Sequence, residues 1–180
     1  GHGIKVVHNG IIENHNALKT LLLEQGHVFE SETDTEVLAH LIGELYDGDL
    51  ESAVQAALRE VTGAYAIAVI CRKEPGVIVA ARKGAPLMVG VGGSEYIVAS
   101  DSSAIVAHTN KAIDLENETV VKLTRDSFRT TTVENMPVSA KLMELEVKLE
   151  QIELGDFEHY MLKEIHEQPQ AIRRCFKGRV

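Results

Sequence analysis

Apolar residues recur at helical intervals over the first third of the chain and at strand intervals beyond it. An opening apolar run at 4–8 predicts a short buried strand that stops at Asn9-Gly10. Leu18, Leu21 and Leu22 then share one helical face, with Asn14 placed as an N-cap and Gly26 as a C′ glycine. Residues 27–30 read as a short strand. Thr33 or Asp34 caps a second helix whose stripe is Val37, Leu38, Leu41, Ile42 and Leu45, broken by Asp47-Gly48. A third helix is predicted over 49–61, with Leu50, Val54, Ala57, Leu58 and Val61 on one side.

The runs 64–71, 76–81, 87–91 and 96–99 are strand-like and are punctuated by Glu74-Pro75-Gly76, Lys83-Gly84-Ala85-Pro86 and Gly92-Gly93-Ser94. Several are apolar at both alternating sets of positions, as in a sheet covered on both faces. A short helix over 102–107 and an edge meander of strands at 119–123 and 128–133 complete this region. Helices followed by hairpin-linked strands predict an α+β fold with an antiparallel sheet. Residues 139–152 suit a strand through Leu145, Val147 and Leu149, and equally a helix face through Leu142, Leu145, Leu149 and Ile152. After Gly155-Asp156, the tail at 159–176 reads as a helix broken near Gln168, because Pro169 disfavours helical angles in its predecessor.

The chain has 180 residues, enough to bury a full core, and a formal net charge of −9. That acidity argues against nucleic acid or an anionic membrane as the main partner, and no apolar run approaches the length of a membrane span. The two cysteines, Cys71 and Cys175, lie far apart with no metal spacing, a usage expected of a reducing, cytoplasmic compartment. Cys71 reads as a buried, inert thiol. The start at Gly1-His2-Gly3, without a Met and directly before an apolar run, leads to the expectation of a fragment lacking its N-terminal portion. Uncovered sheet edges and self-association are then expected.

Two polar clusters stand out between apolar runs: His8-Asn9-Gly10-Ile11-Ile12-Glu13-Asn14 and Ser31-Glu32-Thr33-Asp34-Thr35-Glu36-Val37. Asn9-Gly10 is a strong two-residue turn signal. It is also a pair of donors, an Asn amide and a glycine N–H, that can converge on one oxygen as an oxyanion hole. Asp34 suits a helix N-cap or first-turn acid. With Thr33 and Thr35 beside it, capping hydroxyls are in surplus, which leaves Asp34 available to pair with a substrate ammonium. His2, His8, His15, His27 and His40 follow no ligand spacing, so no metal is expected. Gly90-Val91-Gly92-Gly93 reads as a turn, not a phosphate loop.

Together the two clusters resemble the glutaminase domain of the glutamine–fructose-6-phosphate aminotransferase (glucosamine-6-phosphate synthase) family. Arg82-Lys83-Gly84-Ala85-Pro86-Leu87, Ala99-Ser100-Asp101 and the segment from Tyr160 to Pro169 extend the resemblance almost end to end. It implies an N-terminal-nucleophile hydrolase-like αββα sandwich, incomplete at the N-terminus. It also implies a glutaminase portion over 1–150, a linker over 151–158 and the start of a sugar-isomerase domain over 159–180. Asn9 and Gly10 are implied as catalytic oxyanion-hole residues, and Asp34 as the residue that binds the α-ammonium of L-glutamine. No cofactor or metal is implied. The partners implied are L-glutamine, the sugar-isomerase domain of the same polypeptide and further copies of the parent enzyme. The family's nucleophilic N-terminal Cys has no counterpart here, so the isolated chain is expected not to hydrolyse glutamine. Two further readings fit the same residues: a catalytically dead glutamine-binding or regulatory module, and a fragment of another class II amidotransferase.

Overall fold

The computed structural model describes residues 3–145 and 154–176. The chain divides into two compact units, Gly1–Glu146 and Val147–Val180. The first begins with β1 (Ile4–Ile12), α1 (His15–Glu24), α2 (Asp34–Glu44) and α3 (Leu50–Glu60). Strands β2 (Gly63–Cys71), β3 (Ile78–Lys83), β4 (Met88–Val91) and β5 (Tyr96–Ala99) follow, then the short helix α4 (Ser103–Val106). The unit closes with β6 (Lys111–Asp114), β7 (Thr119–Leu123), β8 (Phe128–Thr132) and β9 (Leu142–Glu144). Among the described residues, the second unit carries the helix α5 (Tyr160–Phe176).

The strands form two sheets, ordered β1-β2-β3-β7-β8 and β5-β4-β6-β9. Every strand ladder is antiparallel, as the hairpin-rich sequence predicts. Alternating residues of the first sheet divide between two cores. Ile67, Val69, Val79 and Val120 pack against Leu38, Ile42 and Val54 of the helices. Ala66, Ala80 and Val121 pack against Val89 and Ile113 of the second sheet. On the outer face of that sheet a Cβ at Gly90 would lie 2.6 Å from Ile105 Cγ2, so the glycine lets α4 close down. The layer order is therefore helices, sheet, sheet, helix. Among the described residues no helix is long and apolar enough to cross a membrane.

Five local expectations are corrected. β1 does not stop at Asn9-Gly10 but runs on to Ile12, paired with β2 over its whole length. Nor is it buried: it is an edge strand, with Val7 74% and Ile11 68% exposed, because among the described residues no second sheet covers its odd-numbered face. Residues 27–30 form no strand. The side chains of His27 and Phe29 pack on α2 instead: His27 Nδ1 lies 2.7 Å from His40 Nδ1, and the Phe29 and His40 ring centroids are 4.5 Å apart. Asn14 makes no side-chain cap on α1. Its amide donates to Glu60 O at 2.7 Å and its carbonyl accepts the Thr62 N–H at 2.9 Å, which staples the β1–α1 corner to the α3–β2 corner. Finally, α5 continues through Pro169. Proline's own φ is helical, so the segment bears the loss of one N–H donor without ending.

Residues 142–144 of the ambiguous stretch form β9; 146–153 lie outside the described residues. β6 escapes the sequence pattern because only Ala112 and Ile113 of its four residues are buried.

Candidate functional site

The site forms where the open edge of β1 meets the start of α2. Gly3 O accepts the Arg72 N–H at 3.1 Å, and the Glu13 N–H reaches Thr62 O at 2.9 Å. Odd-numbered peptide units of β1 therefore face β2, and antiparallel alternation turns the even-numbered ones outward. Ile12 shows the consequence: its N–H leaves the sheet and donates to Asp34 Oδ2 at 2.9 Å. Gly10, two residues earlier on the strand, shares that outward parity. Its φ is +134°, and a Cβ there would lie 2.2 Å from Ala64 O, so no other residue fits without moving the strand. Asn9 is exposed beside it, on the sheet face turned away from the helices.

Thr33, not Asp34, is the N-cap of α2: it has extended backbone angles, and its hydroxyl accepts the Glu36 N–H. Asp34 is thus released from capping, and its carboxylate turns to β1. The loop ahead of it is tied down by Glu36, which accepts the N–H groups of Glu30 at 2.8 Å and Ser31 at 2.7 Å and the Ser31 hydroxyl at 2.5 Å. The backbone bond from Glu30, then the Ser31 hydroxyl, brings the Glu36 carboxyl down to about 2.

Asp34 Oδ1 lies 3.5 Å from the Thr35 hydroxyl and 3.6 Å from His8 Nδ1. His8 Nδ1 is also 3.1 Å from Thr35 Oγ1. The His8 side chain is only 2% exposed, and its Nε2 is buried with no partner among the described residues. The structure thus sets Asp34 against the strand that bears Asn9 and Gly10, through Ile12, and places His8 and Thr35 beside its carboxylate, a role the sequence did not assign them. The available signal was strand parity: His8 shares the helix-facing side of β1 with Val6 and Ile12, an apolar position occupied by a polar ring.

The thiol of this unit, Cys71, does not lie there. Cys71 is buried opposite Ile4, at the other end of β1 from Gly10. Ile4 and Gly10 are six strand steps apart, about 20 Å. Cys175 is exposed on α5 in the second unit. A cavity of about 610 Å³ opens elsewhere, lined by Lys5, His27, His40 and Glu44 among others, and includes none of Asn9, Gly10 or Asp34.

Residues 1–107, spanning both polar clusters, match the family model described as glutamine amidotransferase domain. The chain belongs to that family. This amidotransferase domain is similar to the glutamine–fructose-6-phosphate aminotransferase (isomerizing) of Chlorobaculum tepidum, with 50% identity over 98% of this chain and 30% of that protein. The enzyme of the same name from Methanothermobacter thermautotrophicus is 49% identical over 94% of this chain and 29% of its own length. The chain thus spans about three tenths of the length of the curated relatives it matches. Among solved structures, the glutamine phosphoribosylpyrophosphate amidotransferase from B. subtilis superposes with a TM-score of 0.64 at 28% identity. That match covers 72% of this chain and 29% of the other, so the amidotransferase domain shares its fold with an amidotransferase of a different name.

Proposed function

We propose that this chain supplies the glutamine-binding and oxyanion side of a glutaminase site. The parent enzyme in this reading is a cytoplasmic homo-oligomer that makes glucosamine 6-phosphate from fructose 6-phosphate and glutamine. Asn9 and Gly10 donate to the oxyanion that forms when the side-chain amide of glutamine is attacked. Asp34 pairs with the α-ammonium of the free amino acid. The observation that carries this reading is the bond from the Ile12 N–H to Asp34 Oδ2, which sets the carboxylate against the strand that bears Gly10. Converging donors are what such an intermediate requires, and loss of one costs roughly 10²–10³ in rate. Relatives at 44–50% identity carry the hexosamine-forming name, which favours that parent over other amidotransferases. The segment after residue 158 belongs, in this reading, to the start of a sugar-isomerase domain on the same polypeptide.

With Cys71 buried far along the strand, the isolated chain binds glutamine without cleaving it. The test pairs L-glutamine with Nα-acetyl-L-glutamine in NMR titrations, and with an ammonia-release assay. Binding of the first alone, with no ammonia above the blank, is expected. Equal binding of both removes the ammonium role of Asp34; ammonia release removes the claim of inactivity.

A further inference from the structure

We propose that His8 is a positioning residue, whose Nδ1–H acts through the Thr35 hydroxyl to fix the carboxylate of Asp34 for its ligand. This rests on the reading of Asp34 as the partner of the glutamine ammonium.

The direction of the relay follows from the donor inventory. Asp34 accepts, so the Thr35 hydroxyl donates to Oδ1 at 3.5 Å. That leaves a Thr35 lone pair facing His8 Nδ1 at 3.1 Å, and Nδ1 carries the proton that fills it. Oδ1 is then approached from the His8–Thr35 side, while Oδ2 is held by the Ile12 N–H at 2.9 Å. Restraining both oxygens sets the plane of the carboxylate, which one bond alone leaves free to turn. Binding geometry is sensitive to such small misplacements.

The other ring nitrogen makes the imidazole costly. His8 Nε2 is buried with no partner among the described residues, although the side chain lies on the apolar helix-facing side of β1. Leaving a polar atom so buried is unfavourable, and a leucine there would avoid the cost. A ring tolerated on those terms is explained by what its other nitrogen holds.

The test uses the full chain as wild type, His8→Leu and His8→Asn. An Asn amide nitrogen stands near the place of imidazole Nδ1, so His8→Asn keeps the donor and loses the ring. The readouts are L-glutamine affinity by NMR titration, hydrogen exchange at the Ile12 amide, and thermal melting. His8→Leu is expected to melt no lower than wild type, yet to bind glutamine about tenfold more weakly and to exchange Ile12 about tenfold faster. His8→Asn is expected to restore both within about threefold, even where its melting temperature falls. A His8→Leu chain equal to wild type in both readouts overturns the proposal. So does a His8→Asn chain as impaired as His8→Leu, since the donor would then be irrelevant. If His8→Leu does not fold, His8→Gln replaces it, keeping an amide but moving the donor one bond outward. If wild type binds no glutamine while Ile12 exchange follows the expected order, the ammonium reading fails and the restraint of Asp34 by His8 stands.

Discussion

Asp34 Oδ2 accepts the Ile12 N–H at 2.9 Å, joining the first residue of α2 to the last residue of β1. Because Thr33 already caps α2, binding and stability separate at this point. Asp34→Asn is expected to weaken L-glutamine binding at least about tenfold, with a stability loss of at most about 1 kcal/mol. Thr33→Ala is expected to cost about 1 kcal/mol of stability while the carboxylate stays in place. Calorimetric titration beside thermal melts of the two variants checks the pair; equal losses of affinity would remove the distinction.

Gly10 faces the backbone of β2 so closely that a methyl group would overlap Ala64 O. Gly10→Ala is expected to lose more than about 1 kcal/mol of stability, since its φ of +134° and the contact both oppose a side chain. Asn9→Ala, on the exposed face, is expected to stay within about 0.5 kcal/mol of wild type. Urea unfolding distinguishes them.

Acid weakens the loop ahead of α2 in two steps. Burial, and then the neighbouring His27, lowers the His40 pKa below its ordinary 6.5. A histidine so shifted takes up its proton more readily when unfolded, so stability falls as pH drops below 6.5. Glu36 is shifted from 4.5 to about 2, so its contribution is complete above 4.5 and is lost as pH falls toward about 2. Melts recorded from about pH 7 to pH 3 are expected to show both declines. His40→Gln is expected to flatten the upper decline and Glu36→Gln the lower; a wild-type curve that rises on acidification contradicts this.

The open edge of β1 invites strand pairing. Val7 and Ile11, at 74% and 68% exposed, stand on the uncovered face of an unpaired edge. Concentration-dependent self-association is expected in sedimentation runs, and Val7→Lys with Ile11→Lys is expected to suppress it while changing stability by at most about 0.5 kcal/mol per site. A wild-type chain that stays monomeric at high concentration rules the edge out as a contact surface.

What could be read in advance was local. The stripe of Val37, Leu38, Leu41 and Ile42 predicts α2, and Thr33 and Asp34 both suit its cap, because capping acts within one turn. The Asn9-Gly10 turn signal misleads for the same reason. It is a preference of two residues, outweighed by the nine-residue pairing of β1 with β2. Asn14 is diverted from its cap by partners 46 and 48 residues away.

The sequence by itself determined the helices of the first unit, the antiparallel strands other than β6 and β9, and the two polar clusters that carry the amidotransferase resemblance. Only the tertiary structure decided that β1 is an edge, that its even-numbered amides point outward, and that Thr33 rather than Asp34 caps α2. It alone brought His8 to the Asp34 carboxylate and the Thr35 hydroxyl. Those outcomes depend on strand parity and helix docking, set by contacts such as Ile12 to Asp34 across 22 residues, beyond the reach of any local preference.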